Sequence, residues 1–138
     1  MDKPAKSIVA KVAGSRLARS AALAIAGFFT YGTWGFFCNL MHGVGMGVQS
    51  GLVQGTLSFT ITLASNFVME AIYDFLGSKV FTALLTSILV VSIPYAVNLW
   101  VGTPEILLTI APGAVLGVIY VITYVSALHK FSEANKQV

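Results

Sequence analysis

The chain has 138 residues, 57% of them hydrophobic and only 9% charged, with a mean hydropathy of +0.85. So much apolar side chain cannot be hidden inside a water-soluble domain of this size, so lipid is the expected solvent; at about 20 apolar residues per crossing, the length allows four spans and no soluble catalytic domain. The net charge of +3 comes without a basic stripe interleaved with exposed aromatics, which argues against a nucleic-acid partner, and the single Cys38 excludes an internal disulfide or a thiolate zinc cluster.

Residues 1–19 carry Lys3, Lys6, Lys11, Arg16 and Arg19 among Ile8, Val9, Val12 and Leu17. This suits either an amphipathic helix on an anionic leaflet or a disordered basic tail that only sets orientation. Ala24-Ile25-Ala26 has the small-x-small form of a signal-cleavage site, yet apolar sequence continues through Met41, so cleavage is not expected.

The first span is expected over about 20–41, ending in His42-Gly43-Val44-Gly45-Met46-Gly47, where alternating glycines break the helix. The second runs over about 51–75 and stops at Leu76-Gly77-Ser78-Lys79, a turn short enough to make spans two and three antiparallel neighbours. The third covers about 80–101; the fourth, about 104–128, opens with Thr103 as N-cap, Pro104 at the first helical position and Glu105 in the first turn, and a polar tail follows over 129–138. With the N-terminus inside, all eight Lys and Arg fall on the cytoplasmic side. The expectation is therefore an all-α integral membrane protein of four transmembrane helices with both termini cytoplasmic, in the inner membrane of a bacterium.

Span two repeats a polar residue every fourth position: Gln54, Ser58, Thr62, Asn66, Glu70 and Asp74. Facing lipid, such groups would go unsatisfied at several kcal/mol each, so the stripe is either hydrogen-bonding glue between helices or a polar path for a substrate. Glu70 and Asp74 sit where a helix C-terminus disfavours negative charge, and Lys79, Lys130 or an N-terminal arginine are the candidate partners. Pro94 and Pro112 lie at similar distances from the turn near Gly102 and free the carbonyls of Val90 and Leu108; with Tyr95, Asn98 and Thr109 they mark a candidate cavity between kinked helices.

Gly51-x-x-x-Gly55 and Gly113-x-x-x-Gly117 permit close helix approach, within the monomer or in a homo-oligomer. Cys38, Met41, His42 and Met46 match no metal-site spacing, and His42 and His129 fall at opposite membrane faces, so no metal or haem cofactor is expected. No hydrolytic triad, phosphate loop or HExxH pattern occurs, and an intramembrane lipid-modifying enzyme would have to rely on Glu70 with Asp74.

In size and number of spans the chain resembles several families of small four-span bacterial proteins, the GtrA-like proteins proposed to move lipid-linked sugars among them. The first functional expectation is thus a small transport-type or envelope-biogenesis protein, working as a homo-oligomer or with a membrane-protein partner. The second is a non-catalytic accessory subunit of a larger membrane complex.

Overall fold

The structure, a computed structural model, describes residues 16–136. The basic segment expected as a surface helix or tail lies, up to residue 15, outside the described residues. Four helices make up the fold: α1 (Arg16–Asn39), α2 (Val44–Leu76), α3 (Lys79–Trp100) and α4 (Ile106–Lys136), with a 3-10 turn at Leu40–His42 after α1. Each is long and apolar enough to cross a membrane.

The connections are shorter than the sequence suggests. Only Gly43, at φ +106°, breaks the path from α1 to α2. Gly45 and Gly47 are already helical, and Gly47 is buried against Phe36 of α1, so packing outweighs the low helix propensity of glycine. At the next turn Gly77 adopts the left-handed conformation, its N–H bonded to the Tyr73 carbonyl at 2.8 Å, and the extended Ser78 leads directly into α3.

The end of α3 departs from the expectation for Thr103. Gly102, at φ +74°, donates its N–H to Leu99 O, and Thr103 donates its N–H to Asn98 O, the paired bonds of a Schellman motif. The Thr103 hydroxyl also turns back, donating to Asn98 Oδ1 at 2.8 Å. Thr103 therefore closes α3 and does not cap α4. The cap of α4 comes from another helix: Asn39 Oδ1, at the end of α1, accepts the Glu105 N–H at 3.0 Å. At its other end α4 continues to Lys136, so His129, Lys130 and Glu133 sit on its last turns and not in a separate tail.

Contacts fix the directions. Residues of α1 meet α2 in reversed order (Gly27 with Ser58, Gly32 with Gly51, Phe36 with Gly47), so these helices are antiparallel. The hydrogen bonds Tyr120–Asn66 and Tyr124–Glu70 keep the same offset along both chains, so α2 and α4 are parallel. The topology is up-down-up-down. α2 and α4 touch each other and both other helices, whereas α1 and α3 stand apart. Arg19, Lys79 and Lys130 all fall at the end of the bundle that holds the α2–α3 turn, called here the terminal end.

Both small-residue motifs are occupied within the chain. A Cβ at Gly51 would lie 2.8 Å from Gly32 O and one at Gly55 2.8 Å from Phe28 O, so α1 and α2 pack backbone to backbone. A Cβ at Gly117 would meet Val90 Cγ1 at 2.6 Å, which seats α3 on α4. The small apolar core, Met69, Tyr73, Val121 and Val125, lies near the terminal end, and the large side chains facing outward are mostly apolar, Phe29, Phe67 and Leu107 among them.

Candidate functional site

Between the hairpins α1–α2 and α3–α4 lies a cavity of about 320 Å³, in the range that holds small ligands. One wall carries the stripe of α2: Gln54, Ser58, Thr62 and Asn66 all line it, with Ser65 and the apolar Leu57 and Ile61 beside them. The facing wall is apolar and comes from α3 and α4, through Val90, Val91, Pro94, Ile110 and Val121. Helix α1 adds Ser20, Gly27 and Tyr31, spaced along one of its faces. Leu23 and Leu116 line the cavity while 65% and 56% exposed, which puts its mouth between α1 and α4.

The six residues of the stripe divide between two uses. Toward the terminal end Asn66 accepts the Tyr120 hydroxyl at 2.5 Å and Glu70 the Tyr124 hydroxyl at 2.6 Å, while one turn further the Tyr73 hydroxyl and His129 Nδ1 are 2.8 Å apart. These bonds join α2 to α4. Asp74 is exposed beyond them. Ser58 and Thr62 instead face the cavity, and Asn66 and Gln54, the latter bonded to Asn98 of α3, do both.

The residues expected to cluster around the two prolines are also separated. Pro94 lines the cavity; Asn98 is fully buried just beyond it, and Tyr95 points outward, 43% exposed. Thr109 is buried in a different contact, accepting from Asn39 Nδ2 at 2.8 Å, and Pro112 does not line the cavity. The carbonyl that Pro112 deprives of a helical donor, that of Leu108, receives the indole N–H of Trp34 from α1 at 2.9 Å. The cavity therefore lies nearer the middle of the bundle than the kinks alone suggest, because at their level these bonds hold the helices together.

At the end away from the termini the cavity is closed by a network with defined donors and acceptors. Asn98 Nδ2 donates to Pro94 O at 2.8 Å and to Gln54 Oε1 at 3.3 Å, and Asn98 Oδ1 accepts from Thr103. Asn39 Nδ2 donates to Gly35 O and to Thr109 Oγ1. Nearer the surface Gln49 Nε2 donates to Val101 O, and His42 Nε2 sits 3.0 Å from Glu105 Oε1. A buried network of this kind rigidifies the end it closes.

Tyr31, Asn39, Trp34, Gly113 and Tyr120 join the site or its closing bonds only in the structure. For Tyr120 the signal was present, since Tyr120 and Tyr124 repeat the four-residue spacing of Asn66 and Glu70. Among the described residues no group of three or more His, Cys, Asp or Glu side chains is placed to hold a metal ion. No protein-family model, curated protein or solved structure matches the chain, so its resemblance to other four-span proteins stays one of size and span number.

Proposed function

We propose that the chain is a small membrane transport protein of the inner membrane of a bacterium, with both termini cytoplasmic and the cavity as its substrate site. The observation that carries this reading is the cavity itself: a wall from α2 that sets uncharged polar groups among Leu57 and Ile61 faces a mainly hydrocarbon wall from α3 and α4, inside a bundle whose outer surface is apolar. Such a wall pairing suits a small or lipid-linked substrate with a polar head and an apolar remainder, admitted at the mouth between α1 and α4. The collection of Arg19, Lys79 and Lys130 at one end supports placing that end in the cytoplasm. In this reading the Asn98 and Asn39 networks close the opposite side, and a transport cycle has to break them.

The accessory-subunit alternative requires the polar stripe to be a packing surface throughout. Its terminal half does bond to the tyrosines of α4, and Gln54 bonds to Asn98 of α3, but Gln54, Ser58 and Thr62 also line the cavity. The mass of the native complex, taken in lipid nanodiscs with co-purifying molecules identified, tests the proposal. Copies of this chain alone, carrying a small bound molecule that Gly113→Leu releases, support transport. Stoichiometric foreign subunits around an empty cavity would assign the chain to their complex instead.

A further inference from the structure

We infer that the side-chain amide nitrogen of Gln54 is the recognition donor of the cavity, and that it selects a ligand whose polar end presents an acceptor oxygen beside a donor, as a primary amide or hydroxyl does. The inference rests on reading this cavity as a ligand site, though not on passage of the ligand across the membrane.

The argument begins at Pro94 O, a carbonyl that can only accept. It lies 2.8 Å from one end of the Asn98 side chain, which identifies that end as Nδ2. The second hydrogen of Nδ2 goes to Gln54, so the Gln54 atom facing Asn98 is the oxygen, and Nε2 points the other way. There it approaches Gly113: a Cβ on that glycine would lie 3.7 Å from Nε2 and 3.8 Å from the Tyr31 ring. Gln54 and Gly113 both line the cavity. Gln54 is only 4% exposed, and among the described residues its Nε2 has no hydrogen-bond partner. Nε2 is not one of the wholly buried atoms without a partner, which among the described residues are Ser50 Oγ, Thr82 Oγ1 and Thr86 Oγ1, so it opens to the cavity, where water or a ligand can meet it.

The acceptor side of the same pole comes from α3. Pro94 supplies no N–H to the Val90 carbonyl one turn earlier, and Val90 also lines the cavity. A head group that accepts from Gln54 and donates to Val90 O would satisfy both, with its apolar remainder lying along Val91 and Ile110 toward the mouth. Asn98 acts here as a positioning residue, holding the amide the right way round. Gly113 leaves the space that the head occupies.

The test uses the full chain in lipid nanodiscs with octanamide as the probe and 1-bromooctane, similar in chain length but lacking the hydrogen-bonding head, as the comparison; thermal unfolding is followed at increasing probe concentration. The expected result is a saturable rise in Tm with octanamide and none with 1-bromooctane. Gln54→Leu weakens the octanamide response about tenfold, the effect of losing one buried hydrogen bond. Gly113→Leu, which fills the pole beside Gln54 while leaving the amide in the chain, abolishes the response, and Gly113→Ala, whose methyl fits at ordinary contact distance, retains it. Equal effects of the two probes, or saturable octanamide binding that survives both Gln54→Leu and Gly113→Leu, would overturn the inference. Octanamide binding as expected, in a chain that also proves to reside stoichiometrically among foreign subunits, would sink the transport proposal and leave the recognition site standing.

Discussion

Trp34 spends its one polar atom on the Leu108 carbonyl, the group that Pro112 leaves without a helical donor. Two residues that look unrelated in sequence are thus coupled through a third. Replacing Trp34 with Phe should cost about 1 kcal/mol for the lost hydrogen bond, in addition to whatever the smaller ring loses in packing. In a Pro112→Ala background the new Ala N–H can take over the carbonyl, so the same Trp34→Phe change should cost less by roughly 0.5–1 kcal/mol. A double-mutant cycle read by denaturant titration in detergent measures that difference, and equal costs in both backgrounds would show that the bond contributes nothing. The sequence pointed to the freed carbonyl but could not show its partner, because Trp34 is 74 residues away and nothing local distinguishes it from the other aromatics of α1.

At the scale of elements, the four apolar runs and the short turn at Gly77 and Ser78 were legible because hydropathy and left-handed glycine are local properties. The ends of α4 were not. Thr103-Pro104-Glu105 reads as a helix start, yet the Schellman motif of α3 claims Thr103, and the N–H of Glu105, just ahead of the new helix, is met by Asn39 from α1. The glycine motifs were ambiguous for a similar reason: Gly51-x-x-x-Gly55 announces a close approach without saying to what, and the structure supplies Phe28 and Gly32 of the same chain. Gly55→Ala should therefore destabilise the α1–α2 pair by about 1–3 kcal/mol, since its methyl would press on the Phe28 carbonyl. Gly45→Ala, at a position with nothing within 4 Å, should stay within about 0.5 kcal/mol of the parent. The same titration compares the two, and an indifferent Gly55→Ala would mean that the helices do not pack as closely as described.

For the whole molecule, the polar stripe was visible in the sequence as a four-residue repeat, whereas its division was not. The tyrosines of α4 fasten Asn66 and Glu70, while Gln54, Ser58 and Thr62 are left facing a space that exists only because two hairpins meet at their ends and part between them. The central claim is that this space opens through its mouth between α1 and α4, whose lining reaches Ser20 near the start of α1, and is closed at the other end by the Asn39 and Asn98 networks. Thiol labelling tests it most directly: Thr62→Cys in a Cys38→Ala chain, in intact membranes, with a membrane-impermeant reagent offered from either face, and Phe67→Cys, 70% exposed on the outer surface of the bundle, as the lipid-facing control. The account predicts that Thr62→Cys reacts from the terminal side and is protected from the other, while Phe67→Cys reacts from neither. A Thr62→Cys that is inert from both faces, or one that reacts only from the face opposite the termini, would contradict it.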